Sequence, residues 1–333
     1  MRATRRRLLS AIGALTLSPA LRSLAQGAKA WRIGILETIS RTPNKANMEA
    51  LVAGLREHGY VEGRNVSFDY RSSEGRAEEF PQLAAELVGA KVDLIVTRGT
   101  PAALAAAKAT RTIPVVMAAI GEPPGRGVVA SLAHPGGNVT GLSAFVTELT
   151  GKRLEVLREL VPKMARVATL LNMGNPIFAA QWKETQAAAA KLGLEAHLLD
   201  VRKYADIEPA FTEAAKQRAQ GLIVGIDALT QANRTRIAEL AIEHRLPAIY
   251  AAKEFADAGG LASYGVSYPD LYYRAAGMVH KIFRGARPGD LPVEQPTKYE
   301  LIINRRSAAA IGVAIPRSLL PRIDEVIEEA PAR

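Results

Sequence analysis

From Trp31 onward the chain alternates short apolar runs with longer helix-patterned stretches, and it does so twice. Residues 33–36 read as a strand. Residues 47–57 place Met48, Leu51, Val52 and Leu55 at helical spacing, and Gly59 stops that helix. Residues 66–70 alternate as a strand does, and a helix is expected over about 78–88. Residues 92–96, apolar apart from Asp93, read as a strand covered on both faces. An alanine-rich helix over 100–109 and a strand over 113–117 follow. This order predicts a parallel sheet with helices on both faces.

The second half repeats the scheme. Lys191-Leu192-Gly193-Leu194 parallels His58-Gly59-Tyr60-Val61, Gly221-Leu222-Ile223-Val224 parallels Asp93-Leu94-Ile95-Val96, and Pro247 parallels Pro114. The offsets are 134, 128 and 133 residues, differing only as loop lengths would. The expected fold is α/β: two doubly wound parallel-sheet lobes joined by a hinge. In such lobes ligands sit beyond the carboxyl ends of the strands, and two facing crevices make a cleft that can close.

Candidate site residues therefore follow the strands. Ser40 comes after the first. Thr97, Arg98, Gly99 and Thr100 come after the third. Gly99 permits a tight turn, Thr100 suits an N-cap and Pro101 suits the first helical turn. A guanidinium beside a helix N-terminus favours a carboxylate. Glu122 and Pro123 follow the fourth strand, where the acid could hold an ammonium or sit in solvent. Asn172 and Asn175 both donate and accept, which suits a zwitterion, although turn chemistry also explains them. Asp227 and Tyr250 stand at later strand ends, with Glu254 in the loop after Tyr250. Tyr264 is expected to end a strand over 261–264.

The net charge of +10 would suggest a nucleic acid partner. Five arginines and no acid fall in residues 1–25, however, and the remainder carries only +5, spread among acids. No nucleic acid partner is expected. Arg5, Arg6 and Arg7 precede an apolar stretch over 8–17, and Ser23-Leu24-Ala25 puts small residues where a leader is cut. A signal peptide cleaved after Ala25, with a twin-arginine character, would place the mature chain in the periplasm. There is no cysteine, so disulfides and thiolate chemistry are excluded. The five histidines stand apart, with no metal-ligand spacing. No nucleophile elbow, phosphate loop or dinucleotide fingerprint occurs. No cofactor, metal site or catalytic residue is expected.

Several stretches in combination resemble one family: residues 59–65 (GYVEGRN), 92–101, 113–116, 135–141 (PGGNVTG), 292–301 (PVEQPTKYEL) and 315–320. They are similar to the ABC-transporter substrate-binding proteins that include tryptophan and related aromatic amino acid receptors. The resemblance implies a type I periplasmic binding fold with three hinge crossings, near residues 143–149, 264–268 and 294–298. The lobes are then expected at 31–145 with about 268–293, and at 148–264 with about 297–330. It also implies a small-molecule solute, a permease in the inner membrane and a monomeric receptor. Arg98 and Glu122 depart from what many members carry, so the solute does not simply transfer. The other readings are a periplasmic sensor for a signalling receptor and an exported enzyme on two α/β lobes.

Overall fold

The computed structural model describes residues 29–121, 127–144, 147 and 149–328. The leader expected over 1–25, and Glu122 and Pro123, lie outside them.

The first sheet contains β1 (Trp31–Glu37), β2 (Val66–Ser72), β3 (Leu94–Arg98), β4 (Val115–Ile120) and β5 (Val139–Ser143). Its order is β2-β1-β3-β4-β5 and every pairing is parallel. Helices α1 (Lys45–Glu57), α2 (Phe80–Gly89) and α3 (Thr100–Ala109) connect these strands. The chain then passes into the second half. This holds α4 (Thr150–Leu160), β6 (Arg166–Leu171), α5 (Phe178–Lys191), β7 (Glu195–Asp200), α6 (Ile207–Lys216), β8 (Gly221–Val224), α7 (Ala228–Ala232), α8 (Arg234–Glu243), β9 (Ala248–Tyr250), α9 (Lys253–Asp257) and β10 (Ala262–Val266). A long helix, α10 (Tyr268–Phe283), returns to the first lobe. Finally β11 (Tyr299–Asn304), α11 (Arg305–Ile311) and β12 (Glu325–Ile327) complete the second.

The second sheet runs β12-β11-β10-β9-β8-β6-β7. Its β7-β6-β8-β9-β10 portion has the same order as the first sheet, so the repeat in the sequence is a repeat of topology. Gly59 and Gly193, aligned in that repeat, both take positive φ (85° and 66°) in the turn that leads out of a helix. The all-parallel expectation needs one correction. β10 and β11 pair antiparallel, because β11 enters from the first lobe rather than through a crossover helix.

Three passages of chain join the lobes. They lie between β5 and α4, between β10 and α10, and between Glu294 and β11. In the last, Glu294 exchanges backbone hydrogen bonds with Gly141 and Ser143 (2.9 Å each) beside β5 before the chain crosses. α10 lies tightly against α1. A Cβ on Gly54 would stand 2.7 Å from the Tyr273 carbonyl and 2.8 Å from the Ala276 Cβ, so only glycine permits that approach. Apolar strand residues such as Ile33, Ile35, Leu94 and Val96 in the first sheet, and Leu170 and Leu222 in the second, are wholly buried. This burial on both faces explains their continuous hydrophobic runs.

Candidate ligand cleft between the lobes

In a sheet of this order the strand sequence reverses beside β1 in the first lobe and beside β6 in the second, and ligands collect at such switch points. The two switch points face each other. Between them lies a small cleft lined by residues of both lobes. The centre of a water-sized sphere reaches only about 50 Å³ of it, so the lobes are nearly shut.

The first lobe contributes the start of α3. Gly99 is the N-cap, with φ 86°, and no side chain caps the helix. This corrects the expectation that Thr100 would be the cap: Thr100 is already the first helical residue, and its hydroxyl reaches back to the Gly121 carbonyl (3.4 Å). The left-handed φ suits glycine, and its N–H is anchored on the Ala119 carbonyl (2.8 Å). The amides of Thr100 and Ala102 have no intrahelical acceptor in this first turn, and the turn begins with Gly99, Thr100 and Pro101, which line the cleft at the positive end of the helix dipole.

The second lobe contributes Asp227, the N-cap of α7. One carboxylate oxygen accepts from the Thr230 amide (3.0 Å) and hydroxyl (3.2 Å), and the other accepts from Asn172 Nδ2 (2.7 Å). Burial pushes the carboxyl upward, and the Thr230 and Asn172 hydrogen bonds pull it back. Among the described residues no cation pairs with it. Asn175 lines the cleft, and its Oδ1 accepts from the Ile177 amide (3.3 Å). Phe80, Ile120, Ile177 and Ile226 supply apolar walls.

Arg98 lines the cleft, where a carboxylate of the protein meets its charge. Its guanidinium is buried (3 % exposed) and already engaged. Nη2 donates to Glu254 Oε1 at 2.9 Å, Nη1 reaches Asn44 Oδ1 at 3.5 Å, and the group lies 4.1 Å over the Tyr268 ring. Burial alone would pull its pKa down; Glu254, Tyr268 and Glu37 hold it up. Burial likewise works against the Glu254 carboxylate, but Arg98, the backbone amide and Asn47 together outweigh it and hold Glu254 below its ordinary range. Glu254 comes from α9 of the second lobe, so the pair spans the cleft. Asn47 of α1 adds a bond to the same oxygen (3.4 Å). Two further contacts cross the gap. A Cβ on Gly121 would fall 1.9 Å from Ile177 Cδ1, and one on Gly75 would fall 2.8 Å from the Ala232 Cβ.

Arg98, Gly99, Thr100, Asn175 and Asp227 therefore line one cavity. Asn172 and Glu254 bond to residues that do. Ser40 is half-buried beyond the turn, and Thr97 is buried within β3; neither lines the cavity. Tyr250 is a core residue, its ring stacked on Phe255 (4.9 Å) beneath Gly260. Tyr264 does not end its strand: β10 continues to Val266, and Tyr264 faces Leu301 within the antiparallel pair. Thr38, in the same strand-end stretch as Ser40, lines the cleft, and so do Gln231 and Tyr268, which were not among the candidates. Thr38 is the first residue after β1, and Gln231 stands one helical turn beyond Asp227, so strand-end and i,i+4 rules could have found both.

Two further charged groups are fully buried. Glu37 at the end of β1 is 1 % exposed, and burial pushes its carboxyl up to about 7 although Arg98 and the Thr38 amide oppose this. It accepts a hydrogen bond from the Tyr272 hydroxyl. Arg153 of α4 is buried too and donates to the Tyr264 carbonyl (2.8 Å); burial draws its pKa down to about 10. Among the described residues no group of three or more His, Asp or Glu is arranged to hold a metal, and no helix is long and apolar enough to cross a membrane.

The sequence and the fold have known relatives. A "Tyrosine-binding protein" of Clostridioides difficile is 27 % identical over 281 residues, covering 84 % of this chain and 81 % of its own. The crystal structure of an ABC domain from Streptococcus pneumonia in complex with L-Trp superposes with a TM-score of 0.82 at 29 % identity, covering 90 % of this chain and all of that one. A ligand-free, open substrate binding protein with adhesive properties from Clostridium difficile gives 0.65 at 26 % identity, with the same coverage. The two-lobed arrangement is the type I periplasmic binding fold. The model of one family, ABC transporter substrate binding protein, matches residues 32–327, nearly the whole described chain, and the chain belongs to that family.

Proposed function

We propose that this chain is the receptor of an ABC importer, closing its lobes around a zwitterionic amino acid and delivering it to a membrane permease. One observation carries the ligand class. A buried carboxylate without a cationic partner, Asp227, faces an uncapped helix N-terminus across a closed cleft. An α-ammonium would neutralise the first and an α-carboxylate would take the free amides of the second. The tyrosine-binding relative and the L-Trp complex support the reading. Better superposition on the L-Trp complex than on the open, ligand-free relative supports a closed state.

In this reading the lobes, 31–145 with about 268–293 and 148–264 with about 297–330, move as two bodies, and the receptor is a monomer. Residues 1–25 direct export to the periplasm, leaving Gln26 as the mature N-terminus, which sequencing of the exported protein checks. The ligand assignment is tested by isothermal titration of the wild type and Asp227→Asn against aromatic amino acids and their deaminated acids. Losing a charge-assisted hydrogen bond should weaken the amino acid about 10- to 100-fold. The deaminated acid should change little. Equal losses for both, or no amino acid binding to the wild type, would sink the assignment.

A further inference from the structure

Both polar atoms of the Gln231 amide lack a hydrogen-bond partner, although the residue is 1 % exposed. The hydroxyl of Thr38, 5 % exposed, lacks one as well. Both residues line the cleft, one from each lobe. The closing contact brings their neighbourhoods together: Gly75, whose amide donates to the Thr38 carbonyl (3.1 Å), lies against Ala228 and Ala232 of α7. Buried amides are ordinarily satisfied, and a donor and an acceptor left open together at a cavity point to a missing partner.

The zwitterion does not supply that partner, because Asp227 and the first turn of α3 already complement its two charged groups. Gln231 stands one turn beyond Asp227, its backbone amide donating to the Asp227 carbonyl (2.9 Å). An ammonium held at Asp227 thus leaves the ligand's side chain to pass along α7 between Phe80, Ile177 and Ile226. Arg98, the remaining charged group among the described lining residues, is neutralised by Glu254. The side chain that fits has an apolar body and a neutral polar tip.

We infer that Gln231, with Thr38, is the specificity-determining residue that reads a neutral hydrogen-bonding group at the tip of the ligand's side chain, so that a tyrosine-like amino acid is preferred to its hydrocarbon counterpart. This rests on the amino acid reading above. A phenolic hydroxyl both donates and accepts, and so satisfies both ends of the amide. An indole N–H satisfies only Oε1, and a phenyl ring satisfies neither.

The test is isothermal titration of the wild type, Gln231→Met and Thr38→Val with L-tyrosine, L-tryptophan and L-phenylalanine. Circular dichroism of each unliganded variant verifies its fold. The wild type should bind tyrosine at least about tenfold more tightly than phenylalanine, with tryptophan between them. Gln231→Met should bring the tyrosine-to-phenylalanine ratio close to one by weakening tyrosine, while phenylalanine holds or improves. Thr38→Val should shift the ratio the same way and gives the answer if the methionine variant does not fold. Equal wild-type affinities for tyrosine and phenylalanine, or equal losses in the variants, would overturn the role of Gln231 and leave the amino acid reading standing. Failure of the wild type to bind any of the three, or L-leucine, would overturn both.

Discussion

Replacing Glu254 with glutamine should loosen the closed state without touching the ligand. The substitution keeps the shape of the side chain and an oxygen able to accept from Arg98 Nη2, but removes the charge. At 2.9 Å and an effective dielectric of about 20, the attraction between the two ions is about 6 kcal/mol. Stripping water from both charges returns much of that, leaving about 2–3 kcal/mol for a buried charge-assisted bond. This energy is available only when the lobes are shut, because the partners stand on opposite sides of the cleft. The loss should therefore appear in ligand affinity, as a weakening of roughly 30- to 150-fold, and not in the unfolding of the unliganded protein. Titration of wild type and Glu254→Gln with whichever amino acid binds reads the affinity. Small-angle scattering at subsaturating ligand reads the fraction closed. An acid ligand and its amide should lose equally, since neither touches the pair. Unchanged affinity would refute the latch. So would an Arg98→Ala variant that lost the acid selectively, because that would return Arg98 to the ligand carboxylate.

Two other outcomes follow from buried contacts. The Glu37 carboxyl titrates near 7 in the fold against 4.5 outside it, so its stabilising contribution is complete below pH 4.5 and is lost as pH rises through about 7. At about 1.4 kcal/mol per decade, the loss reaches about 3 kcal/mol. Urea unfolding at pH 5 and pH 8 should show the wild type losing about that much relative to Glu37→Gln, whose amide still accepts from Tyr272; parallel pH profiles would refute it. Gly121→Val should leave folding intact but prop the lobes apart against Ile177, where even a Cβ would lie 1.9 Å from a methyl carbon. Scattering of the ligand-saturated variant should give a radius larger than the saturated wild type, and an equal radius would refute the block.

Much of the molecule was legible along the chain. Short apolar runs at residues 94–96 and 221–224 marked strands covered on both faces, and Gly59 and Gly193 marked equivalent turns, because both signals arise within a few residues of backbone. Strand-end logic also reached Gly99, Thr100, Asn175 and Asp227, since the carboxyl ends of a doubly wound sheet open on its crevice whatever the ligand. The residues that resemble the substrate-binding family were readable for the same local reason, and the family match bears that likeness out.

What the sequence could not say is which groups remain free once the lobes meet. Arg98 reads as an anion site beside a helix start, yet 156 residues further on stands the carboxylate that occupies it. Tyr250 reads as a polar strand end, yet the packing of Phe255 and Gly260 places it in the core. Tyr264 reads as the last residue of a strand, yet a late strand, β11, pairs past it. Gln231 reads as an ordinary helix residue until closure buries it with no partner. The sequence by itself determined two α/β lobes and the ends of strands from which a site could be built, because periodicity and turn chemistry act over a few residues. Only the tertiary structure decided which side chains are consumed in joining the lobes and which are left to bind, because hydrogen bonds and charges are satisfied by whatever comes near in space.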